Sequence, residues 1–318
     1  MEIIKKLKYM YSAAKKASYI YDVLSQEAFK SNRLEGEILR NVHSIEKGLS
    51  LENVRLGFGY TKIKETISII EQYINKGGDV NAKPILMFAD ALQEYLKFHQ
   101  GKLTNENIQE ISKLYKHLSS KITRSEHHIG GVQIINKKTF NEKELEVIKS
   151  LFNKRHSVRE FAQIPVDNKV LKEAISLAMR CPNACNRQGY RCYVLPRTKK
   201  HLMSDWMEGV GGFADDVDKF IIITGKISSY RKSEELQWAI TATVFASYLT
   251  LSLEAFGIGC CFIQRPIVPD QKWIEVAKRL NISKDEQIVC VLGIGNLKES
   301  YKVPLSYRLP FETLVKYI

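Results

Sequence analysis

Apolar side chains recur at three- and four-residue steps through most of the first 140 residues: Ile4, Leu7, Tyr11 and Ala14, then Ile63, Ile67, Ile70 and Ile74. That spacing puts them on one stripe of an α-helix. It predicts helices near 2–30, 33–47, 61–76, 82–99 and 105–119, with Gly48 and Gly77-Gly78 as C-terminal stops. The polar stretch 120–141, with its Gly130-Gly131 pair, reads as a junction. From 142 the pattern changes. Helical spacing over 142–153, 167–180, 198–208, 232–256 and 270–280 alternates with short runs at 191–195, 220–224, 258–263 and 287–294. These runs are rich in Ile, Val, Tyr and Cys and bounded by Gly or Pro, which predicts strands. The segment 232–256 is apolar on several faces (Trp238, Ile240, Val244, Phe245, Leu249, Leu253), so it belongs inside a core or a large interface. We therefore expect an all-helical region at 1–140 and an α+β sandwich at 141–318.

Composition adds exclusions. Of 318 residues, 44% are apolar, enough for an ordinary globular core. No apolar run approaches the ~20 residues of a spanning helix. The lysine-dotted N-terminus lacks the separate apolar stretch and cleavage site of an export signal, so a cytoplasmic protein is expected. The net charge of +13 is spread evenly: residues 1–140 carry 22 basic and 15 acidic side chains, residues 141–318 carry 26 and 20. With no recognition motif beside it, an even excess points to no nucleic-acid partner. The Lys-rich first helix leaves contact with an anionic membrane surface as an alternative. All six cysteines lie after residue 180, without Cys-x-x-Cys pairs or histidines at zinc spacing, and read as reduced thiols near a core, with no metal. His43, Glu46 and Lys47 read as an ion cluster on a helix surface, and Gly57-Phe58-Gly59 as a tight loop. Asp215, Asp216 and Asp218 lack calcium-loop spacing and read as a solvated turn. Gly293-Ile294-Gly295 follows a strand, but Lys298 breaks the Gly-x-Gly-x-x-Gly fingerprint of dinucleotide sites.

Four stretches carry candidate chemistry. Lys154-Arg155-His156-Ser157-Val158-Arg159 follows a helix and sets two guanidinium forks and a hydroxyl within one turn's spacing, a set that suits a phosphate or a flavin carbonyl edge. On spacing alone the same residues would serve as a solvated helix face. Cys181-Pro182-Asn183-Ala184-Cys185-Asn186-Arg187-Gln188-Gly189 joins a helix to a strand and clusters amides that both donate and accept; Asn and Pro are also plain turn formers. Phe256-Gly257-Ile258-Gly259 leads from the long helix into a strand ending at Ile263-Gln264-Arg265. Near the C-terminus, Arg308 offers a further cation.

In order and spacing these stretches resemble the nitroreductase superfamily of FMN proteins over roughly residues 148–318. That family opens with a basic motif R-[RH]-S-x-[RK], follows with a loop P-S-x-x-N-x-Q-P before a strand, has a G-[LI]-G turn after a long helix, and closes on an Arg-containing tail. The resemblance implies a nitroreductase-like α-β-α sandwich with a mixed central sheet and a long buried helix, preceded here by the helical extension. It implies FMN as cofactor, NADH or NADPH as electron donor, a small-molecule acceptor and a homodimer with flavins at its interface. Arg155 and Ser157 would bind the phosphate side with His156 beside them, Arg159 would reach the pyrimidine oxygen, and Arg308 would complete the phosphate site. Pro182, Asn183, Ala184 and Asn186 would approach the ring from the other subunit, and main-chain groups around Ile263, Gln264 and Arg265 would meet the central ring. No side-chain acid or nucleophile is implied as catalytic. The chain departs from the pattern at Asn183 and Ala184, where Ser is usual, at Gly189, where Pro is usual, and at Arg265 and Ser306. Alternatives remain open: a flavin-dependent dehydrogenase or dehalogenase, or a non-catalytic flavin sensor whose helical extension binds a partner.

Overall fold

The computed structural model describes residues 2–123, 128–204, 207, 210–264 and 271–318. The first region folds as α1 (Glu2–Ser25), α2 (Lys30–Leu49), α3 (Tyr60–Asn75), α4 (Lys83–His99) and α5 (Glu106–Ser119), close to the predicted ranges. The apolar stripes meet in one cluster, where Ile38, Ile45, Ile63, Ile70, Ile85, Phe88, Leu92 and Tyr95 are fully buried. α3 ends as expected: Gly77 takes φ +84°, and the N–H groups of Gly77 and Gly78 close back on the carbonyls of Ile74 and Tyr73 at 2.9 and 3.0 Å. Gly48 is not a stop. It lies inside α2, where a Cβ would stand 2.1 Å from the Phe58 ring, so its role is close packing against the loop that Gly57 and Gly59 turn at φ +72° and +70°.

The junction lies against the bundle. Gly130 passes so near α4 that a Cβ would meet the Met87 carbonyl oxygen at 2.2 Å. Ile129 N–H donates to Asp90 (2.8 Å), and Gly131 N–H donates to Glu46 (3.1 Å). Glu46 therefore receives a backbone donor rather than anchoring a surface ion cluster, and its partial burial raises its pKa.

The second region begins with α6 (Glu142–Lys154), opened by a capping box between Asn141 and Glu144, and α7 (Asn168–Ala178), capped by Asp167. β1 (Tyr190–Leu195), α8 (His201–Ser204), β2 (Lys219–Lys226), α9 (Gln237–Ala255), β3 (Ile258–Gln264), α10 (Gln271–Arg279), β4 (Glu286–Asn296) and α11 (Phe311–Leu314) follow. The sheet order is β1-β2-β4-β3, and each neighbouring pair is antiparallel. The α+β sandwich is thus present, with one difference from the expected mixed sheet. β2 and β3 run parallel through the α9 crossover, but β4 inserts between them. The one parallel pairing among the described residues is the bridge of Ser157 to Cys260.

β2 is buried throughout and β4 nearly so, because both of their faces are covered. Ile221, Ile223, Cys290, Leu292 and Ile294 pack under α7 and α9. Phe220, Ile222, Ile288 and Val291 pack on the other face with Met203, Phe213, Trp273 and Val276. α9 buries Trp238, Ala242, Phe245, Leu249 and Leu253 while Ile240 and Tyr248, and Leu236 just before it, stay exposed. Asp218 is not part of a solvated turn. It is buried, accepts from Val166 N–H (2.9 Å) and pairs with Lys219 (2.6 Å).

Among the described residues, the helical region docks on this sandwich through α1 and α2. Val23 and Leu24 of α1 enter the α7–α9 core. Arg231 donates through Nε to Glu37 at 2.6 Å, Asn32 to Asp285 at 3.0 Å, and the Tyr19 hydroxyl to the Lys284 carbonyl at 2.9 Å. At the centre, a Cβ on Gly36 would lie 2.6 Å from the Ser229 carbonyl oxygen. Gly36→Ala is expected to push α2 off that turn and cost about 1–3 kcal/mol, read as a lower urea midpoint.

Candidate functional site

The basic segment 155–159 is not a helical turn. Arg155 caps α6 with extended dihedrals, and the chain then lies along the free edge of β3: Ser157 bridges Cys260, and Val158 N–H donates to the Cys260 carbonyl at 2.9 Å. It next crosses the end of the sheet, where Phe161 bridges Leu297 and Ala162 N–H bonds the Asn296 carbonyl at 2.8 Å. The crossing explains two glycines. A Cβ on Gly295 would stand 2.7 Å from Phe161 Cβ, and one on Gly259 would stand 2.7 Å from Leu297. In Gly293-Ile294-Gly295, which failed as a nucleotide motif, Gly295 is thus a floor for Phe161, which is fully buried.

This path leaves the cations of the motif without carboxylate partners among the described residues. Arg155 lies toward the α9 layer, where it acts on the Cys260 thiol and on Glu254. Arg159 lies toward the other layer, 5.9 Å from the Phe213 ring centroid. Arg159 also donates to the Ser157 carbonyl (3.3 Å), and His156 Nδ1 meets the Lys154 carbonyl (2.7 Å). Burial pushes the Cys260 and Cys261 thiols up, so they stay protonated neighbours. Beside His156 opens a groove of about 780 Å³, lined by Lys149, Asn153 and Lys154 of α6, by Glu254, and by Tyr301 and Val303 of the tail. Partial burial raises Glu254 against the pull of His156 and Arg155. Beyond Val158 the same edge of β3 continues toward Ile263 and Gln264 with no strand beside it among the described residues. Arg265 lies outside the described residues. Arg308 is exposed and donates to the Ser306 carbonyl (2.6 Å), with no bond to Arg155, Ser157 or Arg159.

The loop 181–189 is a strained, tightly tied turn. Cys185, Asn186 and Gln188 have φ of +53°, +51° and +48°. For side chains other than Gly or Asn this costs on the order of 1–2 kcal/mol each. Arg187 holds the strain. Its side chain is 1% exposed and forms a two-pronged pair with Glu234 at 2.6 and 2.8 Å. It also donates to the carbonyls of Ala184 (3.2 Å) and Ser229 (3.3 Å), and stacks 4.4 Å from the Tyr230 ring centroid. Gly189 lets Tyr230 approach, since a Cβ there would lie 2.5 Å from its hydroxyl. Asn183 accepts from Gln188 N–H (2.8 Å) and Asn186 sits near the Gln188 amide (3.3 Å). Ala184 packs on the core and Pro182 is exposed. Sequence reading passed over Arg187 and Glu234. They are 47 residues apart, and neither stands in a motif of its own.

The two halves of the expected site do not meet within one chain. Ser157 is level with Cys260, Ile294 and Lys219, whereas Tyr190, just after the loop, is level with Gly225 and Gln287 on the opposite edge strand. Four strand spacings and six residues of rise separate them by on the order of 28 Å.

Residues 153–210 match the family model of the Nitroreductase family, a span that includes both the Arg155–Arg159 motif and the Pro182–Gly189 loop. The match agrees with the resemblance drawn from those motifs. No curated protein matches the chain. Among solved structures it is similar to an FMN-dependent nitroreductase from Clostridium difficile R20291 (22% identity, covering 52% of this chain and 96% of that one, TM-score 0.44). It is similar also to a nitroreductase family protein from Streptococcus pneumoniae TIGR4 (19%, 54% and 100%, TM-score 0.45) and a nitroreductase-like family protein from Bacillus cereus (18%, 57% and 99%, TM-score 0.46).

Arg187→Met leaves a largely dehydrated Glu234 without its cation and is expected to cost roughly 2–3 kcal/mol, toward the low end for a broken buried pair because Glu234 keeps some solvent. Arg187 holds Glu234 below the usual carboxylate range. The pair therefore contributes fully above the unfolded Glu value of about 4.3 and loses its contribution as pH falls through the lower folded value. Urea midpoints of the two proteins should differ at pH 6 and converge in acid.

Proposed function

We propose that this chain is an FMN-dependent oxidoreductase of nitroreductase type, a homodimer that takes electrons from NADH or NADPH and passes them to a small acceptor. The observation that carries this reading is the edge of β3, where Arg155, Ser157 and Arg159 stand together with no carboxylate paired to either arginine and no strand beside that edge among the described residues. That donor set fits a phosphate-bearing, carbonyl-rich cofactor, since charge-assisted bonds to such groups are the strong ones. In this reading Arg155 and Ser157 hold the phosphate with His156 beside them, Arg159 faces the pyrimidine oxygen, and Arg308 closes the phosphate side from the tail. Main-chain groups near Ile263 and Gln264, with Arg265 after them, meet the central ring along the open edge. When bound, the flavin supplies the two-electron redox chemistry, and the protein supplies position and charge. Arg159 is the fixed cation nearest to where negative charge would collect.

The loop residues Pro182, Asn183, Ala184 and Asn186 stand too far from their own Arg155 to share its ligand, so they belong at the site of a second copy. Exposed Leu236 before α9, Ile240 and Tyr248 on α9, and Leu305, Tyr307, Leu309 and Phe311 toward the C-terminus are apolar enough to be covered in such a dimer. The helical region 1–140 then acts as an extension that braces the loop, and 141–318 as the flavin domain. No helix among the described residues is long and apolar enough to cross a membrane. A cytoplasmic setting, where nicotinamide is at hand, goes with the reading.

Visible absorbance of the purified protein, followed by release of any chromophore, tests this directly. One FMN per subunit is expected; a colourless protein that also refuses added FMN would sink the proposal. Arg155→Ala removes a charged contact and should weaken FMN binding roughly 10- to 100-fold. Mixing Arg155→Ala with Asn186→Ala under subunit exchange should restore tight sites that neither variant has alone, because each mixed dimer holds one intact pair of halves. No recovery would mean that the loop serves its own chain.

A further inference from the structure

A second cavity, of about 220 Å³, opens where the helical region meets the strained loop. Asn32 of α2 and Lys83 of α4 line one wall, and Gln188, Arg191, Lys226 and Ser229 line the other. Glu35 also lines it, but the cations Lys83, Arg191 and Lys226 outnumber that carboxylate. Lys226 ends β2 with 9% of its surface exposed, and its ammonium has no hydrogen-bond or ion-pair partner among the described residues. Burial, reinforced by the nearby Arg191 guanidinium, pushes its pKa down against the opposing pull of Asp285, Glu35 and Glu286. Arg191 donates through one nitrogen to the carbonyls of Gln188 (3.1 Å) and Tyr190 (2.7 Å) and meets no carboxylate among the described residues. Lys83 is exposed and unpaired among the described residues. Arg187, also on the lining, is neutralised by Glu234. The carboxylates nearby have other donors: Glu35 accepts from the Tyr73 hydroxyl (2.8 Å), Asp285 from Asn32, Ser228 and Ser283, and Glu286 from Tyr193 and Thr224.

We propose that this cleft binds a dianionic phosphate group, either free phosphate or the phosphate of a small ester. The Lys226 ammonium is largely dehydrated and has no directly bonded carboxylate among the described residues, so an anion that enters the cleft gains an ion pair there. Lys226, Arg191 and Lys83 together supply more positive charge than a single carboxylate needs. The amides of Asn32 and Gln188 add neutral donors of the kind phosphate oxygens accept. The volume admits a phosphate with a small substituent and falls short of the ~300 Å³ at which drug-sized pockets begin. Lys226 lies at the opposite end of β2 from Lys219, which is level with Cys260 and the basic motif, so within one chain this is not the flavin phosphate site. The proposal stands whether or not the flavin reading does. If both hold, the ligand ties α2 and α4 to the loop that reaches the second copy's flavin, and the helical region becomes a phosphate-responsive brace.

The test titrates FMN-saturated full-length protein with inorganic phosphate and, separately, with glycerol 3-phosphate, against sodium chloride of equal ionic strength, by thermal shift and calorimetry. Saturable binding of one phosphate per chain is expected, and the tighter of the two ligands identifies the source. Lys226→Met and Arg191→Gln should each weaken it by about tenfold or more, the worth of one charged hydrogen bond. Lys113→Met, an exposed lysine elsewhere, should not. Absence of saturable binding, unchanged binding in Lys226→Met, or binding seen in FMN-free protein and lost on FMN loading would each overturn the proposal.

Discussion

The contact on which most of the architecture converges is the guanidinium of Arg187. It is held by Glu234 on one side and by the Tyr230 ring on another, and it donates to carbonyls of two separate segments, Ala184 and Ser229. Through Ala184 it shapes a loop with three residues in left-handed backbone. Through Ser229 and Tyr230 it fixes the turn after β2, and on that turn Gly36 sits with its whole helix. A planar five-donor cation suits this position, because a lysine in its place could not serve a carboxylate, two carbonyls and an aromatic face at once. The helical region, the turn and the motif loop are thus one mechanical unit, although they are distant in sequence.

The other end of the sheet shows the reverse device, absence of side chains. Phe161 reaches the core only because Gly259 and Gly295 have no Cβ in its path. Burying that ring anchors the extended segment before it, which is what keeps Arg155, Ser157 and Arg159 along the edge of β3. A packing constraint deep in the protein thereby sets the placement of surface cations.

Much of the fold was legible because hydrophobic periodicity is local. The stripe through Ile63, Ile67 and Ile70 and the unbroken apolar run of β2 each carry their own element. Legibility ended where an assignment needed a partner from elsewhere. Gly48 looked like a helix stop because nothing nearby announces Phe58. The spacing of Arg155 and Arg159 suggested one helical turn because the edge of β3, a hundred residues on, was not in view. Asp218 looked solvated until Val166 and Lys219 were seen to enclose it, and β4 slips between two parallel strands by a pairing that no local pattern encodes. For the candidate site, the sequence offered residue types and their order, whereas the distance between the two candidate segments and the cations Arg187 and Lys226 could not be read from it.

The entry of Val23 and Leu24 into the core beneath α9 bears on how this chain could have been assembled from parts. A helical bundle fused by a flexible tether could later be lost with little consequence to its host. Here the graft has been sutured: the host core closes over the bundle's first helix, and the polar contacts at Glu37, Asn32 and Tyr19 seal the seam. Severing the chain at the junction would leave raw apolar surface on both pieces, at Val23 and Leu24 on one side and under α9 on the other.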